Sequence, residues 1–160
     1  MKDAPQEIRT FFVTSVAHAR EPLLKKVEMA RLFLNVLQDN RKKGRFLLHE
    51  FVVMPDHFPL IVTPAEDVPL EKAVQYIKGG FSFRAKKELS FQFVIWQESF
   101  TNHRIRNHED YGRHSTYIHH NPVKAGLVRT PSEYPYSSAF PGMGLDPMPP
   151  GLKLSRSAGI

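Results

Sequence analysis

Apolar and polar positions recur along the chain with two periods, and each period predicts an element. Phe11 and Val13 open an aromatic and β-branched cluster that reads as a short strand running to about Ala17, before a turn at His18-Ala19-Arg20-Glu21-Pro22. From Leu23 to about Asn40 the apolar residues Val27, Ala30, Leu34 and Leu37 recur at helical spacing. Arg41-Lys42-Lys43-Gly44 then closes the segment with cations and a glycine stop. Arg45 to Met54 and Phe58 to Thr63 are dense in Phe, Leu and Val and are separated by Pro55-Asp56, which predicts two strands or one strand with a break. Val68 to about Leu89 predicts a second amphipathic helix with Leu70, Ala73, Val74 and Ile77 on one side. Within it Gly79-Gly80 predicts a kink or a division into two shorter helices. Phe91, Phe93 and Ile95 alternate and end in Trp96, a further strand. Asn107 to about His120 predicts a third helix, with Asn107 as N-cap and Asp110 three residues on, stopped by Asn121-Pro122.

Elements in that order predict an α+β fold, a ferredoxin-like antiparallel sheet with helices packed on a face. The chain has 160 residues and a mass of 18.4 kDa, the size of one domain. A chain of that length buries roughly 70% of the surface its unfolded form exposes. Residues 1–140 are expected to form the domain. From Pro141 the composition shifts to Pro and Gly, through Pro147-Met148-Pro149-Pro150-Gly151, so 141–160 is expected to be an extended tail. With 41% hydrophobic and 24% charged residues the chain is neither disordered nor fibrous. No apolar run approaches the ~20 residues that span a bilayer, and Met1 to Thr10 lacks the apolar stretch of a signal peptide. A soluble cytoplasmic protein without membrane contact is expected.

Charge and cysteine narrow the chemistry. Lys and Arg number 22 against 16 Asp and Glu, a net +6, which favours polyanionic partners with nucleic acid first; a solvated basic surface without a ligand accounts for it as well. Cysteine is absent, which excludes disulfides, thiolate zinc sites and a cysteine nucleophile, so any metal must sit on His, Asp, Glu, Asn or Gln. Two segments could carry chemistry. Val52 to Val62 places His57 at the start of a strand, where a lone histidine is commonly structural. On the third helix His114, Tyr117 and His120 with Asn121 fall at i, i+3, i+6 and i+7, on one polar face.

Together these segments resemble the Y1 (HUH-type) single-strand DNA transposase family, and within it the IS200-like and REP-associated tyrosine transposases. The resemblance runs from about Thr10 to Ser138. It is carried by Met54-Pro55-Asp56-His57, Tyr76-Ile77-Lys78-Gly79-Gly80-Phe81-Ser82, Ile95-Trp96-Gln97 with Phe100, and Tyr117-Ile118 followed by Asn121-Pro122-Val123-Lys124-Ala125-Gly126-Leu127-Val128. It implies Tyr117 as nucleophile, with a divalent metal, Mg2+ or Mn2+, held by His57 as first histidine and Asn121 as amide ligand. In such a site the metal polarises the scissile phosphate while the tyrosine oxygen attacks phosphorus, giving a 5′-phosphotyrosine and a free 3′-OH. His114 and His120 are candidates to take the tyrosine proton, and both also read as solvated surface residues.

One position departs from the family pattern. Where the second metal histidine stands, this chain has Pro59, which has no side-chain donor and in a sheet favours an edge or a break. Three explanations follow: a degenerate site that keeps its DNA-binding surface, a replacement ligand such as His120 or His49, or an isolated change in an otherwise active relative. Impaired metal binding is the reading favoured, because one histidine and one amide make a poor divalent site. For DNA contact the sequence offers Lys78, Arg84, Lys86 and Lys87 with Phe81 and Phe83, and Arg104 with Arg106 in His103-Arg104-Ile105-Arg106. Phe81, Phe83 and Trp96 equally suit a core. The resemblance further implies single-stranded hairpin DNA as partner, a homodimer, and association with the nucleoid when bound. A non-catalytic hairpin-binding protein and a structural domain with incidental charge are the alternatives.

Overall fold

A computed structural model describes residues 8–149 and 151–152, in the element order β1 (Thr10–Val16), α1 (Val27–Lys42), β2 (Phe46–Phe51), β3 (His57–Pro64), α2 (Leu70–Leu89), β4 (Thr101–Ile105) and α3 (His108–Lys124). The four strands form one sheet in the order β2-β3-β1-β4 with antiparallel neighbours throughout. Two β-α-β units are thereby interleaved, each leaving a gap that a strand of the other fills, which is the ferredoxin-like plan expected from the element order. To it is added α3.

Both faces of the sheet are covered. Alternate residues of a strand point to opposite sides, and β3 shows the division. Phe58, Leu60 and Val62 join Phe33, Leu37, Ile77 and Phe81 in the core under α1 and α2. Ile61 faces the other way and packs with Ile105, Tyr111 and Ile118 under α3, with Phe12 of β1 against them. His57 and Pro59 share the alternation of Ile61 and so lie on the α3 side.

Several elements differ from the periodicity. The first helix starts at Val27 rather than Leu23, because Leu24 is drawn out of line: its N–H donates to the Pro55 carbonyl at 2.9 Å and its side chain is buried. α2 runs unbroken through Gly79 and Gly80, where the space beside Gly80 opens on Val36 of α1. Phe91 to Trp96 is not a strand; only Trp96 makes a bridge, to Ala17, and Phe93 is exposed. The fourth strand is Thr101–Ile105, whose mostly exposed polar residues give no alternating signal at the sheet edge. α3 continues past Asn121-Pro122 to Lys124, with the Pro122 ring buried near its C-terminal end, where the helix has few further hydrogen bonds to lose.

Pro59 does not sit at an edge, for β3 lies between β2 and β1. The place is nevertheless tolerant. A strand residue directs its N–H and C=O to the same neighbour, and the Pro59 carbonyl accepts from Val52 N–H at 3.2 Å, beyond the end of β2. The missing donor therefore faces the fading end of the β2–β3 ladder. Further on, part of the Pro/Gly-rich segment is held to the domain. Asp146 accepts from Arg41 Nε at 3.0 Å and from the Leu48 N–H at 2.8 Å, while Met143 and Leu145 pack on the core. Residues 1–7, 150 and 153–160, which carry parts of the N-terminal and tail expectations, lie outside the described residues.

Candidate nucleic-acid and tyrosine site

α3 lies across the sheet, tied down at several points. Its first turn is capped by Asn107, whose Oδ1 accepts the Asp110 N–H at 2.8 Å. There Asp110 Oδ2 lies 2.6 Å from His103 Nε2 of β4. Midway, Phe12 of β1 meets the His114 ring at 4.5 Å between centroids and the Tyr117 ring at 5.9 Å. Further along, His119 Nε2 is 2.7 Å from Glu50 Oε1 of β2. Glu50 also accepts from the Ser138 hydroxyl at 2.7 Å and the Tyr111 hydroxyl at 3.4 Å. Burial would push the Glu50 carboxyl up, but these three partners hold it below the usual carboxylate range. Tyr111 is pushed well above an ordinary phenol by burial and by Glu50, so it stays a protonated donor.

Tyr117 is 48% exposed. With Phe12, Arg113 and His114 it lines a shallow open depression on this face. The depression thus brings together a half-exposed tyrosine, two further rings and a guanidinium-bearing side chain. His114 Nδ1 is 2.8 Å from the Asp110 carbonyl; since a carbonyl only accepts, Nδ1 carries the hydrogen there. His120 is exposed.

His57 enters β3 opposite Val16 of β1. Its Nδ1 is 2.7 Å from Asp56 Oδ1, and Arg20 Nη1 holds the other oxygen of Asp56 at 3.0 Å. Burial would raise Asp56, but His57 and Arg20 bring it below the usual range. Arg20 reaches this position from a turn in which both Ala19 and Arg20 adopt left-handed backbone, φ 55° and 53°, a strained pair for residues with a Cβ. The arrangement leaves Nε2 of His57 as its available donor.

The divalent ion implied by the family pattern does not fit the residues present. Pro59 occupies the buried place two residues on, on the same face, and offers no donor. Asn121 Nδ2 is buried without a hydrogen-bond partner among the described residues, and even with its amide oxygen as a ligand Asn121 and His57 supply two neutral donors only. Mg2+ and Mn2+ favour about six ligands, largely oxygen and partly anionic. His49 cannot make up the set: Nδ1 is 2.7 Å from the Pro147 carbonyl and Nε2 is 2.8 Å from the Thr63 hydroxyl, so both nitrogens are occupied.

The cations singled out in the sequence are distributed away from the tyrosine. Lys78, Arg84, Lys86 and Lys87 lie on α2, which covers the opposite face of the sheet. Lys78 Nζ donates to the carbonyls of Gln97 at 2.8 Å and Ser99 at 3.3 Å, and burial pushes its ammonium below the usual lysine value. Arg84 pairs with Glu88 at 2.6 Å and Asp39 at 3.0 Å; the Glu88 hydrogen bond is the main cause of its raised pKa. Lys86, Lys87 and Phe83 are exposed, as is Arg106. Arg104 pairs with Phe11 in the sheet and so points to the α1–α2 side. Phe81 is core, and Trp96 packs on the core with its Nε1–H on the Lys78 carbonyl at 3.0 Å. Sequence reasoning missed Phe12, Glu50 and Arg113, and named His103 only within a basic stretch and Asp110 only as the partner of the Asn107 cap.

Comparison with known proteins shows the family and the fold. The sequence pattern of the family described as "Transposase IS200 like" matches residues 9–121, a span that contains His57, Tyr117 and Asn121. A REP-associated tyrosine transposase of Escherichia coli (strain K12) is 32% identical over 129 residues, 80% of this chain and 74% of the relative. The solved structure of a REP-associated tyrosine transposase bound to a REP hairpin superposes with a TM-score of 0.68 at 29% identity, covering 86% of this chain and 82% of the other. A crystal structure from Deinococcus radiodurans, 19% identical with a TM-score of 0.53 over 74% of this chain and 95% of the other, shares the fold.

Proposed function

Because the chain belongs to the IS200-like transposase family, we propose that it binds single-stranded DNA hairpins and that Tyr117 is its nucleophile. The observation that carries this reading is Tyr117 itself, which the resemblance implies as nucleophile, half exposed and lining one open depression with Phe12 and Arg113. In the proposed reaction the Tyr117 oxygen bonds to phosphorus, the bond from phosphorus to the 3′-oxygen breaks, and that oxygen leaves as a 3′-hydroxyl after taking a proton. A free phenol ionises near pH 10, so the Tyr117 proton needs an acceptor. With His114 engaged by Asp110, the exposed His120, one turn beyond Tyr117, is the candidate. Arg113 is proposed to contact a backbone phosphate near the tyrosine, Arg106 one beside the start of α3, and Lys86 and Lys87 with Phe83 to form a separate patch on the opposite face.

The Mg2+ or Mn2+ site on His57 and Asn121 is proposed to be weak or lost through Pro59, so that cleavage is slow. Covalent trapping on a labelled hairpin with Mg2+ or Mn2+ tests this. The expected result is little or no adduct from the wild type and a clear adduct from Pro59→His that disappears in the Pro59→His, Tyr117→Phe double variant. A strong Tyr117-dependent adduct from the wild type overturns the impairment, and an adduct that survives Tyr117→Phe overturns the nucleophile.

Pro59 also favours a second reading, hairpin binding without cleavage. Salt-dependent hairpin affinity that Tyr117→Phe leaves unchanged, with no adduct even from Pro59→His, decides for it. The protein is further proposed to act as a homodimer in the cytoplasm on nucleoid DNA; light scattering reads the dimer directly. Among the described residues no helix is long and apolar enough to cross a membrane.

A further inference from the structure

We propose that His103, Asp110 and His114 form a binding site for one divalent transition-metal ion of the zinc class, distinct from the His57 and Asn121 position and joining β4 to α3. One donor atom from each of the three residues lies within 4.8 Å of the others. Zinc bonds to imidazole nitrogen and carboxylate oxygen are about 2.0–2.2 Å, which places its ligands roughly 3–4 Å apart. A small closing movement therefore suffices. The two imidazole rings already stack, with centroids 5.0 Å apart and planes 23° from parallel, both beside the same carboxylate. Asp110 Oδ2 is 2.6 Å from His103 Nε2, and Asp110 Oδ1 is 3.3 Å from His114 Nδ1.

The donor set selects the ion. Two imidazoles and one carboxylate suit Zn2+ or Co2+, and three protein ligands leave a position open to water or substrate. The surroundings supply what such a site requires. The Asp110 backbone is fixed by the Asn107 cap, and its carboxylate is largely buried. The His103 side chain is 52% exposed and gives an ion a way in from solvent. Two features oppose binding: His114 Nδ1 must give up its hydrogen and its 2.8 Å bond to the Asp110 carbonyl to ligate, and Arg113 Nη2 donates to Asp110 Oδ1 at 3.1 Å and competes with a cation for that oxygen. This opposition gives the proposal a signature that a purely hydrogen-bonded cluster lacks. The inference does not rest on DNA cleavage or on the state of the His57 site.

Tag-free full-length protein, stripped with chelator, is titrated with Co2+ by visible absorption and with Zn2+ by calorimetry, and its thermal midpoint is read with and without Zn2+. One ion per chain is expected, with a rise in the midpoint on Zn2+ addition. His103→Ala and His114→Ala should each weaken binding by about tenfold or more and remove that rise, whereas His57→Ala and His120→Ala leave both in place. Arg113→Ala should tighten binding. His103 is exposed, so its replacement should leave the fold intact, and circular dichroism checks that it does. Absence of binding to the wild type overturns the proposal. So does binding that His57→Ala abolishes, or binding that His103→Ala and His114→Ala leave unchanged.

Discussion

At the scale of single residues, side chains with simple sequence readings have acquired partners far along the chain. Asp146 belongs to a stretch that reads as an extended Pro/Gly-rich tail. In the structure its carboxylate takes two hydrogen bonds from Arg41, at 3.0 and 3.3 Å, and one from the Leu48 N–H at 2.8 Å. Burial would raise its pKa, yet Arg41 and Leu48 bring it below the usual range. Charge-assisted bonds of this kind contribute about 1.5–3 kcal/mol, and their loss leaves Arg41 without its carboxylate. Asp146→Ala should therefore destabilise the protein by about 1–3 kcal/mol in urea unfolding; a change within error would mean that the segment is not held in solution. The places of His57 at the start of a strand and of Tyr117 and Asn121 on a helix were legible because each element is defined by its local pattern. The neighbourhood of His103, Asp110 and Arg113 was not, because His103 and Asp110 meet only after the chain turns from β4 into α3. No spacing rule reports a contact across such a turn.

At the scale of elements, legibility followed the strength of the apolar pattern. β2, β3 and the helices α1 and α2 are rich in buried Leu, Val, Ile and Phe, and were recognised at nearly the right bounds. β4 is an edge strand with Thr101, Asn102 and His103 exposed, so it carried no such pattern. The alternation at Phe91, Phe93 and Ile95 belongs instead to an irregular segment of which only Ile95 is buried. Gly79 and Gly80 read as a break because glycine disfavours helices, but the packing of α2 on α1 outweighs that local cost. This leaves a removable weakness. Gly79 is exposed in helical backbone, and a Cβ there would meet nothing closer than Gln75 Cγ at 3.9 Å. Gly79→Ala is expected to stabilise the protein by about 0.5–1 kcal/mol, read as a higher midpoint in chemical denaturation. No gain would show that α2 is not continuous through this point.

At the scale of the whole molecule, the buried polar groups between β2, β3 and the C-terminal segment make stability depend on pH. His49 is 1% exposed, and burial lowers its pKa despite the nearby carbonyls and acids. Its Nδ1 donates to the Pro147 carbonyl and its Nε2 accepts from the Thr63 hydroxyl, an arrangement that only the neutral ring can make. In the unfolded chain a histidine takes up a proton near pH 6.5. Below that pH the unfolded state binds a proton that the native state refuses, so stability falls as the pH drops. Glu50, Asp56 and Asp146 add a second loss at lower pH, since each is held below its free value in the native state. Their contribution is full above about pH 4.5 and is lost as the pH falls through the native values. Thermal midpoints from pH 8 to 4 should show a decline beginning near pH 6.5 and steepening below about pH 4.5. In His49→Gln the upper part of that decline should flatten, and an unaltered profile would sink the assignment.

The covering of both sheet faces bears on how such a protein can change over evolutionary time. α3 carries Tyr117, and it is also the lid over Val52, Met54, Ile61 and Ile105. A chain cut short before residue 107 would lose Tyr117 and at the same stroke bare that apolar surface, which invites aggregation. Shortening the gene at that point therefore costs the cover of the sheet as well as the tyrosine. Single replacements on the sheet spare the lid, and Pro59 is seated where the ladder is already fading.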